Sequence, residues 1–461
     1  MKKLALIFLG IQTIYFATAQ DKPNIIHIIG DDIGWDDYSS FGSSYYQTPN
    51  IDQLAKEGVK LTNFYAPHST CTPSRAACMT GRVAPRVNDR TGLGVLFPTA
   101  TNGLDSAKEI TFTKILQQHQ YKTALFGKWH LGHLPQFLPA AHGFDEYLGI
   151  PYPNDHGPER LGNTGSRKYP PIPLIHNTEN VKALNNNDLA ELPARFVREA
   201  CNYISERVKN KEPFYLQYSN IETHTPWFIP KGFDGNHQSA YADAIQYFDR
   251  SVGILLNHVK QLGIEKNTII VFHADNGPLV VRYNELENCY GKYATVDTTK
   301  KHVLRDGKYH DKFEGGERVA AIVKWPAKIP AGNTVHEIIS GVDWFTTFLT
   351  IAGIKIPGNK IIDGKNILPL LTKESTKPIR NTFYAFGPFG NLEGIRYNNW
   401  KLVIQNNHHH LLFNLKTDPG ESNDLASSYP IIVQTLIQLS PIAINAIKND
   451  LPLKEINQFN F

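Results

Sequence analysis

The stretch Pro23-Asn24-Ile25-Ile26-His27-Ile28-Ile29-Gly30 runs directly into two adjacent carboxylates, Asp31 and Asp32. A short apolar run bounded by proline and glycine predicts a buried strand. Comparable runs recur along the chain and alternate with helical patterns. We predict strands over 24–30, 59–64, 123–126, 214–219 and 268–273, with helices over 51–58 and about 239–262. The alternation predicts an α/β sandwich around a large, mostly parallel sheet.

Polar and reactive residues follow the carboxyl ends of these predicted strands, which is the edge where open α/β sheets bind ligands. They are Asp31-Asp32, Gly127-Lys128, His224 and Asp275-Asn276. Either acidic pair alone suits a helix cap or a turn. Together the two pairs offer three carboxylates and one amide oxygen, a ligand set that suits Ca²⁺ or Mg²⁺.

A second informative stretch is Cys71-Thr72-Pro73-Ser74-Arg75. The proline suits the first turn of a helix, and the arginine follows one turn after the cysteine. Position 71 is therefore predicted at a helix N-terminus, where backbone N–H groups and the helix dipole favour an anion. For an isolated Cys-x-Pro, a buried cysteine packed beneath a turn is the alternative interpretation.

The composition is that of a globular enzyme. With 461 residues, 41% hydrophobic and 20% charged, the chain can build a large core and more than one domain. The formal net charge is +4, and Lys2 and Lys3 supply two of those charges. This bias is too weak to indicate binding to nucleic acid or to a membrane surface, so we expect no nucleic-acid partner.

The N-terminus is typical of a signal peptide. Met1-Lys2-Lys3 is basic, residues 4–16 are apolar, and Ala17-Thr18-Ala19 is a small-residue cleavage site. The apolar run is too short to span a bilayer. We therefore predict a signal peptide over 1–19 cleaved near Ala19, a periplasmic or secreted protein, and no membrane anchor.

The pattern changes near residue 371. We predict a catalytic α/β domain over 20–370 and a smaller C-terminal domain over 371–461, an antiparallel sheet with a helix. Its predicted strands are 382–386, 395–404 and 411–414, and its helix covers about 431–448. His408-His409-His410 could bind a metal or an acidic group, but a solvated hairpin loop is favoured.

Residues 71–82 resemble the signature C-x-P-S-R-x-x-x-[LM]-T-G-R of type I sulfatases. Further segments are similar to motifs of that family in the same order: residues 23–34, Gly127-Lys128-Trp129-His130-Leu131-Gly132, Thr223-His224-Thr225-Pro226, Ala274-Asp275-Asn276-Gly277, residues 304–319, and residues 412–421. The mature chain thus resembles formylglycine-dependent sulfatases over nearly its whole length. Within that family it is similar to arylsulfatase A, N-acetylgalactosamine-6-sulfatase and bacterial polysaccharide sulfatases.

The resemblance implies an alkaline-phosphatase-like sandwich and a modified nucleophile. Cys71 is expected to be oxidised by a formylglycine-generating maturation enzyme and then hydrated to a gem-diol. One hydroxyl attacks sulfur, and the other loses a proton so that cleavage of the C–O bond expels sulfate. By the same resemblance, Ca²⁺, with Mg²⁺ as the alternative, is bound by Asp31, Asp32, Asp275, Asn276 and residue 71.

The resemblance also assigns roles to cations and histidines. Arg75, Lys128 and Lys308 are expected to bind the sulfate oxygens and the hydrated residue 71. A sugar alkoxide needs a proton as it leaves, for which His224 is the first choice and Lys308 the second. His130 is expected to take the proton from the diol.

Two departures from the family pattern affect these assignments. Asp306 stands where the family has glycine, and the stretch from Lys308 to Glu314 is one residue longer, which makes Lys312 a second candidate for the lysine role. Pro153 stands where related sequences have serine. A proline cannot donate the corresponding hydrogen bond, so that substrate contact passes to Asn154 or is lost.

Three functions stay open at this point. The first is an exported, calcium-dependent sulfatase acting on a sulfated polysaccharide or oligosaccharide, with the sugar selected by loops 151–168 and 277–301. The second is a phosphodiesterase or phosphonate monoester hydrolase of the same superfamily. The third is a sulfated-glycan binder whose Cys71 is never oxidised. With Cys71 converted, Cys78, Cys201 and Cys289 allow at most one disulfide.

Overall fold

The structure is a computed structural model that describes residues 22–158, 169–235, 239–280, 301–405 and 409–455. The predicted signal peptide lies outside these residues. The larger sheet has eleven strands: β1 Asn24–Gly30, β2 Val59–Tyr65, β3 Lys122–Lys128, β4 Glu146–Ile150, β5 Pro173–His176, β6 Glu179–Ala183, β7 Phe214–Ser219, β8 Thr268–Ala274, β9 Arg318–Lys324, β10 Asn333–Val335 and β11 Ile339–Ser340.

The strand order is β10-β2-β9-β8-β1-β7-β3-β4-β5-β6, and β11 pairs with β2. The central strands β8, β1, β7, β3 and β4 run parallel to one another. Antiparallel pairs lie on both sides of this centre, where β9 contacts β8 and β2, and where β5 contacts β4 and β6. The predicted α/β sheet is confirmed, with mixed strand directions outside its parallel centre.

The described helices are Pro49–Glu57, Cys71–Thr80, Val87–Arg90, Phe112–Gln118, Asn186–Asn210, Ala240–Gln261, Glu314–Glu317, Asp343–Ile351, Leu368–Leu371, Pro430–Ile437 and Leu439–Lys448. The longer helices cover both faces of the sheet. Both faces need cover because successive residues of a strand point to opposite sides of it. On β1, the His27 ring packs against Phe348. A Cβ at Gly30 would instead meet Phe248 on helix Ala240–Gln261. The core therefore has helices on each side of a central sheet.

The C-terminal sheet contains β12 Thr382–Phe386, β13 Leu392–Tyr397, β14 Trp400–Val403 and β15 Leu411–Asn414, antiparallel in that order. The single strand expected over 395–404 is wrong. Tyr397 pairs with Trp400 across a two-residue turn, in which Asn398 takes the left-handed φ of 51°. Asparagine tolerates that conformation, which explains why the chain reverses here.

The helix expected over about 431–448 is two helices that separate at Gln438. Their buried residues, including Leu436 and Leu439, pack in one cluster with side chains of the C-terminal sheet. By length and composition alone, the 19-residue stretch Pro430–Lys448 could cross a membrane. An 18-residue window within it has a mean hydropathy of 1.5, and 33% of that window is buried. The absence of a membrane anchor therefore stays a prediction.

A buried ionic cluster joins the two sheets. Glu314 accepts hydrogen bonds from Lys401 of β14 at 3.0 Å and from the Tyr65 hydroxyl of β2 at 2.7 Å. Lys401 also lies 3.2 Å from Glu421, whose carboxylate accepts the Glu314 backbone N–H at 2.7 Å. These contacts fix the C-terminal sheet to the segment just before β9. The domain boundary near 371 stays a prediction.

Candidate functional site

The polar residues at the strand ends meet at one edge of the sheet. β1 and β8 are parallel neighbours in register, and the Asp275 N–H donates to the Gly30 carbonyl at 2.9 Å. Asp31 and Asp32 therefore lie beside Asp275 and Asn276, and all four side chains are buried. The structure brings together the four residues proposed as metal ligands, although 243 positions separate Asp32 from Asp275.

Lys128 reaches this edge because of the glycine before it. Gly127 has a φ of +116°, and a Cβ there would lie 1.8 Å from the Ser219 carbonyl of β7. Only glycine allows this approach of β3 to β7. The Lys128 ammonium donates to both carboxylate oxygens of Asp31, at 2.9 and 2.7 Å, and both residues are fully buried.

Lys308 forms the second pair. Its backbone N–H donates to the Pro278 carbonyl at 2.8 Å, and its ammonium lies 2.6 Å from Asp32 Oδ2 and 3.0 Å from His224 Nε2. Burial by itself would lower the Lys308 pKa, but the Asp32 carboxylate raises it well above its usual value. The Lys308 amine is therefore protonated and holds Asp32 and His224 together.

The hydrogen bonds of His224 define its tautomer. Nδ1 lies 2.7 Å from the Thr225 carbonyl. Because a carbonyl can only accept, Nδ1 carries a proton. Nε2 then accepts from the Lys308 ammonium. In this arrangement the proton between the two residues lies on Lys308.

Arg75 forms the third pair, through a 2.8 Å hydrogen bond from Nε to Asp275 Oδ2. Nη1 donates to the Lys128 carbonyl at 3.1 Å and to Ser219 Oγ at 3.2 Å. Within the described residues, buried Nη2 has no hydrogen-bond partner and lies 4.0 Å from Asp31 Oδ2. This nitrogen is a donor that an anion could engage.

Cys71 begins helix Cys71–Thr80, as the sequence predicts, and its side chain is buried. Burial raises the pKa of the Cys71 thiol, whereas the positive charges of Lys128 and Lys308 act in the opposite direction. The same helix reaches the site through Ser74 and Arg75, which both bond Asp275. As an unmodified thiol, Cys71 is protonated and a weak nucleophile.

His130 follows β3 with a left-handed φ of 61°. Its Nε2 lies 2.9 Å from the Leu96 carbonyl, so Nε2 carries the proton. Burial and the Lys128 charge hold the His130 pKa well below its usual value. In the described part of the chain Nδ1 has no hydrogen-bond partner, which leaves a buried lone pair able to accept a proton.

The donor set fits a hard divalent cation. Asn276 Nδ2 donates to Asp32 Oδ1 at 2.7 Å, and Asn276 Oδ1 is buried without a partner among the described residues. That oxygen is a neutral donor of the kind that binds Ca²⁺ or Mg²⁺. Ligand atoms of Asp31, Asp32 and His224 also lie within 4.8 Å of one another. The oxygen donors suit calcium or magnesium, as expected from the sequence.

The two departures from the family motifs have structural counterparts. Asp306, at a family glycine, has a left-handed φ of 58° that aspartate tolerates. Lys312, the alternative to Lys308, has a side chain that is 42% exposed and lies 3.4 Å from Glu393. The structure therefore places Lys308 in the site and Lys312 outside it.

Asn154, to which the contact of the family's serine was expected to pass, binds the turn at His224. Its side-chain nitrogen donates to the backbone carbonyls of His224 and Pro226, at 2.9 and 2.8 Å. Asn154 thus fixes the turn that carries His224. That role was not expected from the sequence.

The roles of Asn220 and Thr223 were also not predicted from the sequence. Asn220 Oδ1 accepts the Asp31 N–H at 2.9 Å, and the Thr223 hydroxyl donates to the Asp31 carbonyl at 2.6 Å. Both hold the backbone of Asp31. Their position just after β7, at the same edge of the sheet as Asp31, was a feature of the sequence that could have indicated these roles.

Some expected features fall partly outside the described residues. The residues outside the described ranges include Cys289, His408 and most of loops 151–168 and 277–301. Cys71, Cys78 and Cys201 are free thiols, and Cys201 is a half-buried residue that packs against the main core. His409 and His410 lie in the connection between β14 and β15, which confirms the hairpin loop.

Residues 23–354 match the family described as Sulfatase, and residues 306–439 match the family described as N-sulphoglucosamine sulphohydrolase, C-terminal. Arylsulfatase A of Bos taurus is 34% identical over 474 residues, covering 93% of this chain and 87% of the relative. N-acetylgalactosamine-6-sulfatase of Canis lupus familiaris is 34% identical over 368 residues, covering 77% and 67%.

A solved structure, Ps i-CgsB in complex with k-i-k-neocarrahexaose, is 29% identical with a TM-score of 0.76. The match covers 94% of this chain and 95% of that one. The same arrangement of sheets is therefore found along nearly the whole of both chains.

The buried pair of Lys128 and Asp31 predicts a large loss of stability when one partner is removed. Lys128→Met in metal-free protein should lower the free energy of unfolding by about 3 kcal/mol, because Asp31 is left charged and buried. Adding Asp31→Asn should recover more than half of that loss. Urea denaturation measures both effects.

The matched control is Lys182→Met, since Lys182 pairs with Asp188 but is 52% exposed. It should cost less than about 1 kcal/mol. Equal losses for Lys128→Met and Lys182→Met would contradict the importance of the buried pair.

Proposed function

The chain belongs to the sulfatase family and is a sulfuric ester hydrolase, and on this premise we propose that it is an exported enzyme that removes sulfate esters from carbohydrates. The observation that carries this proposal is the group of three buried cations at one edge of the sheet: Arg75 of the Cys71 helix, Lys128 and Lys308. A sulfate ester is a weakly basic anion, so fixed cations bind it better than neutral proton donors do.

The names of two similar proteins support a carbohydrate substrate. One relative is an N-acetylgalactosamine-6-sulfatase, and one similar structure is a complex with a neocarrahexaose. A sulfated polysaccharide or its oligosaccharide fragments therefore remains the best substrate class for this chain. Export through the signal peptide over 1–19 is part of the proposal, since polymers of this kind are met outside the cytoplasm.

We infer that a maturation enzyme converts Cys71 to formylglycine. The buried thiol has a raised pKa, so it would be a weak nucleophile without modification. The hydrated aldehyde supplies a hydroxyl that attacks sulfur and a second hydroxyl whose deprotonation releases sulfate. The helix N-terminus at residue 71 and the nearby lysines favour the negative charge that develops there.

Asp31, Asp32, Asp275 and Asn276 would hold one divalent cation, Ca²⁺ with Mg²⁺ as the alternative. Their oxygen donors and the unpartnered Asn276 oxygen support this assignment. Such a cation lowers the pKa of a hydroxyl attached to it and orients that hydroxyl.

The proton transfers are assigned to buried residues that already share protons. His224 stays the first choice for the proton that the departing alkoxide needs, and the Lys308 ammonium, which lies 3.0 Å from His224 Nε2, is the second. His130 Nδ1 has the lone pair needed to accept the diol proton.

Formylglycine at residue 71 should be detected by peptide mass spectrometry of enzyme expressed with a maturation enzyme. The peptide should carry an aldehyde in place of the thiol, and an N-terminal peptide starting at Gln20 would report export. Cys71→Ala should abolish turnover. Cys78→Ala is the matched control, a second buried cysteine of the same helix, and it should keep both modification and turnover. Full activity with an unmodified Cys71 would refute the mechanism.

Loss of the metal site should abolish both calcium binding and activity. Asp275→Ala should lower bound calcium from stoichiometric to near zero and reduce kcat by at least about 100-fold, because the nucleophile loses its activator. Elemental analysis and calcium titration measure these changes. Asp188→Ala removes a carboxylate of a surface pair and should change neither. Stoichiometric zinc, or activity that survives both chelation and Asp275→Ala, would rule out this assignment.

A substrate panel tests the proposed function as a whole. Purified, fully modified enzyme should hydrolyse sulfated mono- or oligosaccharides of algal or animal origin, and nitrophenyl sulfate much faster than nitrophenyl phosphate. Lys308→Ala should reduce kcat by at least about 100-fold, because a buried cation at the reacting group is lost. Lys312→Ala should stay within about twofold of wild type, since that lysine is exposed.

Preference for the phosphate ester by orders of magnitude would favour the phosphodiesterase or phosphonate hydrolase alternative. An enzyme that cleaves aryl sulfates but no sulfated saccharide would still be a sulfatase, and only the assignment of a carbohydrate substrate would be wrong.

A further inference from the structure

Tyr309 is an exposed aromatic side chain at the edge of the site, and the mechanism above does not use it. It follows Lys308 directly and is 59% exposed. Its ring centroid lies 5.5 Å from the Lys308 ammonium. Lys308 is bonded in turn to Asp32 and His224. Tyr309 therefore combines a solvent-exposed ring with closeness to a buried cation of the site.

The backbone holds this ring in place by an unusual conformation. Tyr309 has a φ of 74°, in the left-handed region that bulky residues rarely adopt. Its N–H donates to the Ser69 carbonyl at 3.2 Å, two residues before Cys71, and the Lys308 N–H is bonded to the Pro278 carbonyl. Strain of this kind persists where the surroundings fix it and is concentrated at functional sites.

The chemistry of an aromatic face limits what can bind to it. The face carries the negative part of the ring quadrupole, so it attracts the Lys308 cation and disfavours the sulfate group itself. The C–H bonds of a sugar ring, in contrast, are attracted to such a face. The ligand that suits Tyr309 is thus the uncharged part of the ester, namely the sugar that carries the sulfate.

We propose that Tyr309 is the platform of a sugar-binding subsite, on which the sulfated sugar stacks while the buried cations bind its sulfate. This inference rests on the proposed carbohydrate sulfatase activity. It adds a specificity-determining residue that lies within the described part of the chain, separate from loops 151–168 and 277–301.

Kinetics of Tyr309→Gly and Tyr309→Phe test the subsite. Glycine suits the left-handed backbone, so this variant removes the ring and also relieves the strain. With the sulfated saccharide that wild-type enzyme turns over fastest in the panel above, Tyr309→Gly should raise KM about tenfold, as expected for one lost stacking contact. The kcat should stay within about threefold, and Tyr309→Phe should behave like wild type.

Inhibition by inorganic sulfate provides the internal control, because that anion has no sugar ring. Its inhibition constant should be the same in wild type and Tyr309→Gly. Tyr429→Ala is the matched variant, since Tyr429 is 45% exposed but packs against Trp400 of the C-terminal sheet. It should leave KM, kcat and sulfate inhibition unchanged.

Three outcomes would overturn the proposal. An unchanged KM in Tyr309→Gly would show that the ring does not contact the sugar. A loss of kcat together with weaker sulfate inhibition would show that Tyr309 only positions Lys308. A wild-type enzyme that cleaves aryl sulfates but no saccharide would overturn the carbohydrate function and this inference with it, whereas the first two outcomes leave that function intact.

Discussion

The site depends on three buried carboxylates, each of which forms an ion pair with a buried cation. A buried charge left without a partner costs several kcal/mol, so neither member of a pair can be lost without a penalty. One cation lies at a strand end, one in a loop and one on a helix. The ion pairs therefore hold these three segments together at one edge of the sheet. The three carboxylates would also hold the proposed divalent cation, whose charge would offset theirs and leave Lys128, Lys308 and Arg75 available to an anion. The pairs are Asp31 with Lys128, Asp32 with Lys308, and Asp275 with Arg75.

Much of this could be predicted from the sequence, because apolar runs define strands and strand ends define the ligand edge. The predicted bounds of β1 and β7 agree with the structure. Asp31, Asp32, Asp275 and Asn276 were recognisable as one group only because both pairs follow buried strands. The start of the helix at Cys71 was likewise predictable, since Pro73 and Arg75 suit its first turns.

The remainder depends on contacts between distant segments that no local pattern encodes. The sequence favours Lys308 and leaves Lys312 as the second candidate, and the burial of Lys308 beside Asp32 and His224 decides between them. The bonds from Asn154 to the turn at His224 are also of this kind. The turn at Asn398 had a local signal, but the apolar residues on both sides concealed it.

The buried cluster around Glu314 has a consequence for how such enzymes can be recombined. Glu314 lies six positions after Lys308 and is bonded to Lys401 and Glu421, so the loop that supplies a site lysine is anchored in the smaller sheet. The family match over 306–439 likewise begins at this loop and not near residue 371. A chimaera that exchanges the smaller sheet with that of a relative should therefore be joined before residue 306, where that match begins, so that the site loop moves with the smaller sheet. A junction near 371 would separate Glu314 from the partners with which it is matched.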